Sequence, residues 1–120
     1  MASTLTTGYR GEDLAANFLR SKGFSILERN WHHRHKEIDL IVTDKQFLRI
    51  VEVKCRTYPF LSEPHTAVHR TKQKALIAAA HAYVCKRQID MEVRFDIVSI
   101  VLFPQGPQIK YFPDAFYPVL

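Results

Sequence analysis

Two short runs, Glu37 to Val42 (EIDLIV) and Phe47 to Lys54 (FLRIVEVK), constrain the fold more tightly than anything else in this chain. Both are β-rich, and Thr43-Asp44-Lys45-Gln46 between them has the length and turn chemistry of a hairpin connection. Their apolar residues fill both alternating sets, Ile41, Leu48 and Ile50 on one face and Ile38, Leu40, Val42, Val51 and Val53 on the other. Strands apolar on both sides belong in the middle of a sheet covered by helices on both faces.

The flanking segments supply those helices. From Gly11 to Lys22 the residues Leu14, Ala15, Phe18 and Leu19 recur at helical spacing, and Gly23 stands where a left-handed residue ends a helix. Ala67 to Arg87 repeats the pattern with Leu76, Ala79, Ala80, Tyr83 and Val84 on one face. Phe24 to Glu28 reads as a short strand, Arg29 to Lys36 (RNWHHRHK) as a basic, His-rich loop, and Cys55 to Pro64 as a Pro-containing loop. Val93 to Phe103 is strand-like, Pro104 to Pro107 a turn, and Gln108 to Phe112 a returning edge strand. The expected order is α-β-β-β-α-β-β, a mixed α/β domain over residues 8–120 behind a frayed terminus of residues 1–7.

Composition narrows the classes. A chain of 120 residues, 47% hydrophobic, buries roughly two thirds of its unfolded surface and needs no disulfide staples. Two cysteines, Cys55 and Cys85, without a leader segment suit a reducing, cytoplasmic protein. The most apolar stretch, Ala75 to Cys85, contains His81 and is far shorter than the roughly 18 residues that span a bilayer, so no membrane role is expected. Seventeen Lys and Arg against twelve Asp and Glu leave a formal charge of +5, which leans toward an anionic partner.

A hairpin pairing Val42 with Phe47 sets Asp39 opposite Ile50 and Glu37 opposite Glu52, so that Glu37, Asp39, Glu52 and Lys54 share a face. Asp39 and Glu52 then sit as diagonal neighbours within roughly 8 Å. Two carboxylates about 4 Å apart repel by about 4 kcal/mol at an effective dielectric of 20, so they call for solvent, a proton or a cation. Mg²⁺ accepts two carboxylates and a carbonyl and keeps several waters. The competing interpretation, the polar half of an amphipathic hairpin, conflicts with the apolar residues on both faces. Glu12 borders the buried stripe of the first helix, near its start.

Asp39, followed thirteen residues later by Glu52-Val53-Lys54, resembles the D…ExK core of the PD-(D/E)xK nucleases, with Ile38 in place of the proline. The wider pattern of Gly8-Tyr9-Arg10-Gly11-Glu12, Ala16, Asn30, Glu37 to Ile41, Val51 to Lys54 with Arg56, Ala67-Val68, Lys72, Arg94-Phe95-Asp96 and Ala115-Phe116 is similar to the bacterial YraN-like family of predicted endonucleases. That family is distantly similar to archaeal Holliday junction resolvases, and Lys36 stands where it usually has glycine. The resemblance implies a restriction-endonuclease-like fold, in which Asp39, Glu52 and the Val53 carbonyl bind Mg²⁺ or Mn²⁺. It also implies that Lys54 orients or deprotonates the attacking water, and that Glu12 completes the site through a water or a second ion. Glu37 is an outer candidate. The basic segments around 29–36 and 54–74 suggest Arg34, Lys36, Arg56, Arg70 and Lys72 as phosphate contacts, with Trp31 as a base-stacking candidate.

The expected function is metal-dependent hydrolysis of nucleic-acid phosphodiesters, DNA before RNA, with a two-fold homodimer suited to junctions. A non-catalytic nucleic-acid-binding module on the same fold is the alternative. An interaction subunit using the aromatic end Tyr111 to Leu120, or a zinc enzyme built on His32, His33, His35, His65 and His69 without an HExxH pattern, has less in its favour.

Overall fold

The computed structural model describes residues 4–59 and 68–118. Its elements are α1 (Thr4–Ser21), β1 (Ser25–His33), β2 (Lys36–Thr43), β3 (Phe47–Thr57), α2 (Arg70–Arg87), β4 (Glu92–Phe103) and β5 (Gly106–Phe116). The order is α-β-β-β-α-β-β, and the five strands lie side by side in sequence order. All neighbours are antiparallel except β3 and β4, which run parallel because α2 carries the chain back between them.

Alternation in the central strands creates two cores. Leu40, Val42, Val51, Val98 and Ile100 pack under α1 against Ala15, Ala16 and Leu19. Ile41, Leu48, Ile50, Phe95 and Ile97 pack under α2 against Leu76, Ala79, Ala80 and Tyr83. α1 stops at Gly23, whose φ of 96° lets Phe24 N–H donate to Leu19 O at 3.0 Å. α2 stops the same way at Gln88, φ 54°.

α1 approaches β3 unusually closely. A Cβ added at Gly11 would lie 2.6 Å from Cys55 Cβ and 2.7 Å from its Sγ, so only glycine lets the helix settle there. Gly11→Ala is expected to cost about 1–3 kcal/mol, read as a lower urea midpoint. An unchanged midpoint would mean that α1 does not need this approach.

Several expected boundaries change. Helix α1 begins at Thr4, so residues 4–7 are helical rather than frayed. The basic segment 29–36 is not a loop: β1 runs to His33, β2 starts at Lys36, and only Arg34 and His35 turn between them, Arg34 with φ 59°. Pairing with β2 overrides the weak strand preference of its polar residues. β3 extends to Thr57 and β5 spans Gly106–Phe116, each longer than expected. The second helix starts at Arg70, while residue 67 and His65 lie outside the described residues. In the described part of the aromatic C-terminal segment, Phe112 and Phe116 dock on the α2-side core and Tyr111 on the other, while Tyr117 is exposed.

Candidate active site

The β2–β3 turn is held by Asp44, whose Oδ1 accepts from Gln46 N–H and Phe47 N–H at 2.9 and 3.0 Å. It pairs Thr43 with Leu48, Ile41 with Ile50 and Leu40 with Val51. The register is therefore two residues away from the expected one. A two-residue slip preserves every face, so the alternation survives while the partners change. Its consequence is closer: continued one step, the ladder would set Asp39 directly opposite Glu52.

The ladder ends at that step. Asp39 Oδ2 accepts from the Val53 N–H at 2.8 Å, so a side chain takes the place of a strand carbonyl and β2 parts from β3. The cause is visible in β1 and β2. Ile38 and Ile41 both join the α2-side core, although three residues apart in a regular strand they would face opposite ways. Across from them, Arg29 pairs with Asp13 of α1 at 2.7 Å while Trp31 packs edge-on against Tyr83 of α2. Asn30 between these two is left-handed, φ 51°, and the strand pair reverses its facing there.

Asp39 and Glu52 meet in the resulting gap. Glu52 is 8% exposed. Burial, followed by the hydrogen bond to Glu52 and the Glu52 charge, pushes the Asp39 carboxyl up to about 8, against the pull of the Val53 N–H and Lys72. Lys72 Nζ, from the first turn of α2, lies 3.4 Å from Glu52 Oε2. Burial lowers the Lys54 ammonium, helped by the charges of Arg56 and Lys72 and opposed by Glu52.

Glu12 reaches the gap from α1. Burial raises its carboxyl, as do the charges of Asp39 and Glu37, while Arg29 and a hydrogen bond from Asn30 oppose. Its Oε1 is buried with no hydrogen-bond partner. Among the described residues no three of His, Cys, Asp and Glu form a ready metal cage. Glu37 is exposed beside His32, 3.8 Å from its Nε2, and its charge bears on Glu12.

The expected phosphate contacts separate. Arg56 lies on β3 within electrostatic reach of Lys54. Arg70 is exposed at the start of α2, and Arg34 and Lys36 stand at the β1–β2 hairpin. Lys72, half exposed on α2, pairs with Glu52 in this structure. Trp31 is half-buried against Tyr83 and stacked on His33, a packing residue. Sequence reasoning missed the Lys72–Glu52 pair and the Asn30 bond to Glu12. Lys72 was legible in part, because it stands four residues before the core residue Leu76 on the same helix face.

Among the described residues no helix is long and apolar enough to cross a membrane. Both cysteines are free thiols, Cys55 half-buried and Cys85 exposed.

The family model for "Uncharacterised protein family UPF0102" matches residues 11–100, a span that contains Glu12, Asp39, Glu52, Lys54 and Lys72. The chain is 40% identical over 117 residues to a UPF0102 protein of Flavobacterium psychrophilum, covering 98% of each. It is 41% identical over 117 residues to one of Parabacteroides distasonis, covering 98% of this chain and 97% of that one. A UPF0102 protein of Geobacter metallireducens is 41% identical over 110 residues, with 91% and 90% covered.

Proposed function

The chain belongs to the UPF0102 family, and we propose that this member is a metal-dependent endonuclease of the PD-(D/E)xK type that hydrolyses phosphodiester bonds in DNA, branched structures such as junctions and flaps in particular. The observation that carries the proposal is the pair of adjacent carboxyls, Asp39 and Glu52, in a gap between parted strands. A carboxylate pair whose charges repel is a poor structural device and a good receptor for a hard divalent cation.

The residues fit such a cation. Asp39 and Glu52 supply anionic oxygens, the Val53 carbonyl a neutral one, and the unpartnered Glu12 Oε1 an outer acceptor for a water. When bound, Mg²⁺ or Mn²⁺ would polarise the phosphoryl group and offset charge developing in the transition state. Lys54, which feels the Glu52 charge, would orient the attacking water and hold a proton, and its lowered affinity for that proton suits the task. Arg56 and Arg70 would neutralise flanking phosphates, so affinity should fall with salt by a log–log slope of about −0.9 per duplex phosphate contacted. A junction, presenting two strands to be cut, suits a homodimer.

The test is a labelled panel of four-way junction, flap, single-stranded DNA, duplex DNA and RNA, incubated with Mg²⁺ or Mn²⁺ and with chelator. Cleavage that the chelator stops supports the proposal and identifies the substrate. Salt-sensitive binding without cleavage supports a non-catalytic nucleic-acid-binding module in its place.

A further inference from the structure

The Lys72–Glu52 pair does more than balance charge. Its position is built in: Leu76, one helical turn on, is 1% exposed in the α2-side core, so the same face of α2 carries Lys72 over the sheet. The two partners are unequal, since the Glu52 side chain is 11% exposed and that of Lys72 is 50% exposed. Glu52 is fixed by its strand and by Asp39, whereas Lys72 is a point charge on a flexible four-carbon stem with one side in water. The Lys72 charge is also felt by the neighbouring Asp39 carboxyl.

We propose that Lys72 is a resident counter-cation, occupying Glu52 in the free protein and giving it up when a divalent cation enters the carboxylate gap, after which its ammonium serves the substrate phosphodiester at the rim. The inference rests on the nuclease reading of the site and adds to it an internal competitor. A divalent cation beside Glu52 and an ammonium 3.4 Å from the same carboxylate are like charges, and the half-exposed partner is the one free to move. An internal competitor lowers apparent affinity by the fraction of time that the receptor is open. Positive charge released at the rim, near Lys54 and Arg56, rewards an anion. Cation and nucleic acid would therefore bind cooperatively, each drawing Lys72 off Glu52.

The experiment is a Mn²⁺ titration followed by electron paramagnetic resonance, without nucleic acid, on wild type, Lys72→Met, Lys72→Arg and Glu52→Gln. Lys72→Met is expected to bind Mn²⁺ about ten-fold more tightly than wild type, Lys72→Arg to return toward the wild-type value, and Glu52→Gln to lose the site. In the presence of Mn²⁺ and a non-cleavable phosphorothioate DNA, Lys72→Met is expected to bind that DNA more weakly. Wild-type Mn²⁺ binding that needs Glu52 but is equal or weaker in Lys72→Met overturns the counter-cation role alone. Mn²⁺ binding that appears only in Lys72→Met supports it in its strongest form. No Glu52-dependent binding in any variant overturns both the counter-cation role and the metal reading beneath it.

Discussion

Asp39→Asn is expected to abolish cleavage, by about 10³-fold or more, and at the same time to raise the melting temperature near pH 8. An asparagine copies the protonated carboxyl: its oxygen accepts from Val53 N–H and its amide donates to Glu52. It cannot contribute the charge that holds a cation. The sign of the stability change follows from linkage. The folded protein keeps the Asp39 proton up to about 8, whereas an unfolded Asp loses it near 4. Between these values the folded state binds more protons, so this carboxyl favours folding fully below about pH 4 and the benefit is lost as pH rises through the folded value. Asn escapes that loss, so the variant should melt roughly 5 °C above wild type at pH 8, with the gap closing toward pH 4. Calorimetry across this range without divalent cations checks it. A lower melting temperature at pH 8 would show that Asp39 is stabilised as an anion.

Asp96→Ala is expected to be the most destabilising single change in the chain. Asp96 is 0% exposed and accepts from Arg49 Nη1 at 3.1 and 3.2 Å, from the Tyr111 hydroxyl, and from Asp114 N–H at 2.9 Å. These bonds join β3, β4 and β5, and Asp96 pairs in register with Val51, the residue before Glu52. Burial pushes its carboxyl up while all three donors pull it down. Removing it strands a buried guanidinium whose Nε already lacks a partner and whose remaining acceptor is Asp114, 3.3 Å away. Breaking such a pair costs about 3–5 kcal/mol, a large share of the 5–15 kcal/mol that holds a domain together. Urea unfolding should lose most of its native baseline at 37 °C. A loss under about 1 kcal/mol would mean that Arg49 finds water on its own.

The two predictions separate what the residues reveal locally from what only the fold assembles. Apolar periodicity located both helices and their buried faces, Leu76, Ala79, Ala80 and Tyr83 among them, because a 3.6-residue repeat depends on near neighbours alone. Double-sided apolar strands located the centre of the sheet for the same reason. Alternation determines the face of each residue but is blind to a slip of two, which is why Asp39 and Glu52 lie closer than the expected pairing set them. The strand reversal at Asn30 was not legible, since a left-handed asparagine in a polar, His-rich segment reads as a turn. Nor was the attachment of Lys72 to Glu52, or of Arg49 to Asp96, partners 20 and 47 residues apart that only packing unites. Charged residues carry no periodic signature of their partners, so the candidate site was legible as a set of acids and less so as a balanced cluster.

The central claim is that the Asp39–Glu52 gap is a divalent-cation hydrolytic centre. Its most direct test is the single-turnover cleavage of the best panel substrate by wild type and Glu52→Ala, purified side by side and both shown folded, over a range of Mn²⁺ concentrations. Cleavage by wild type that saturates with Mn²⁺ and falls by about 10³-fold or more in the variant is the predicted result. Equal cleavage by the two proteins, or none by wild type at saturating Mn²⁺ on any substrate, would contradict it.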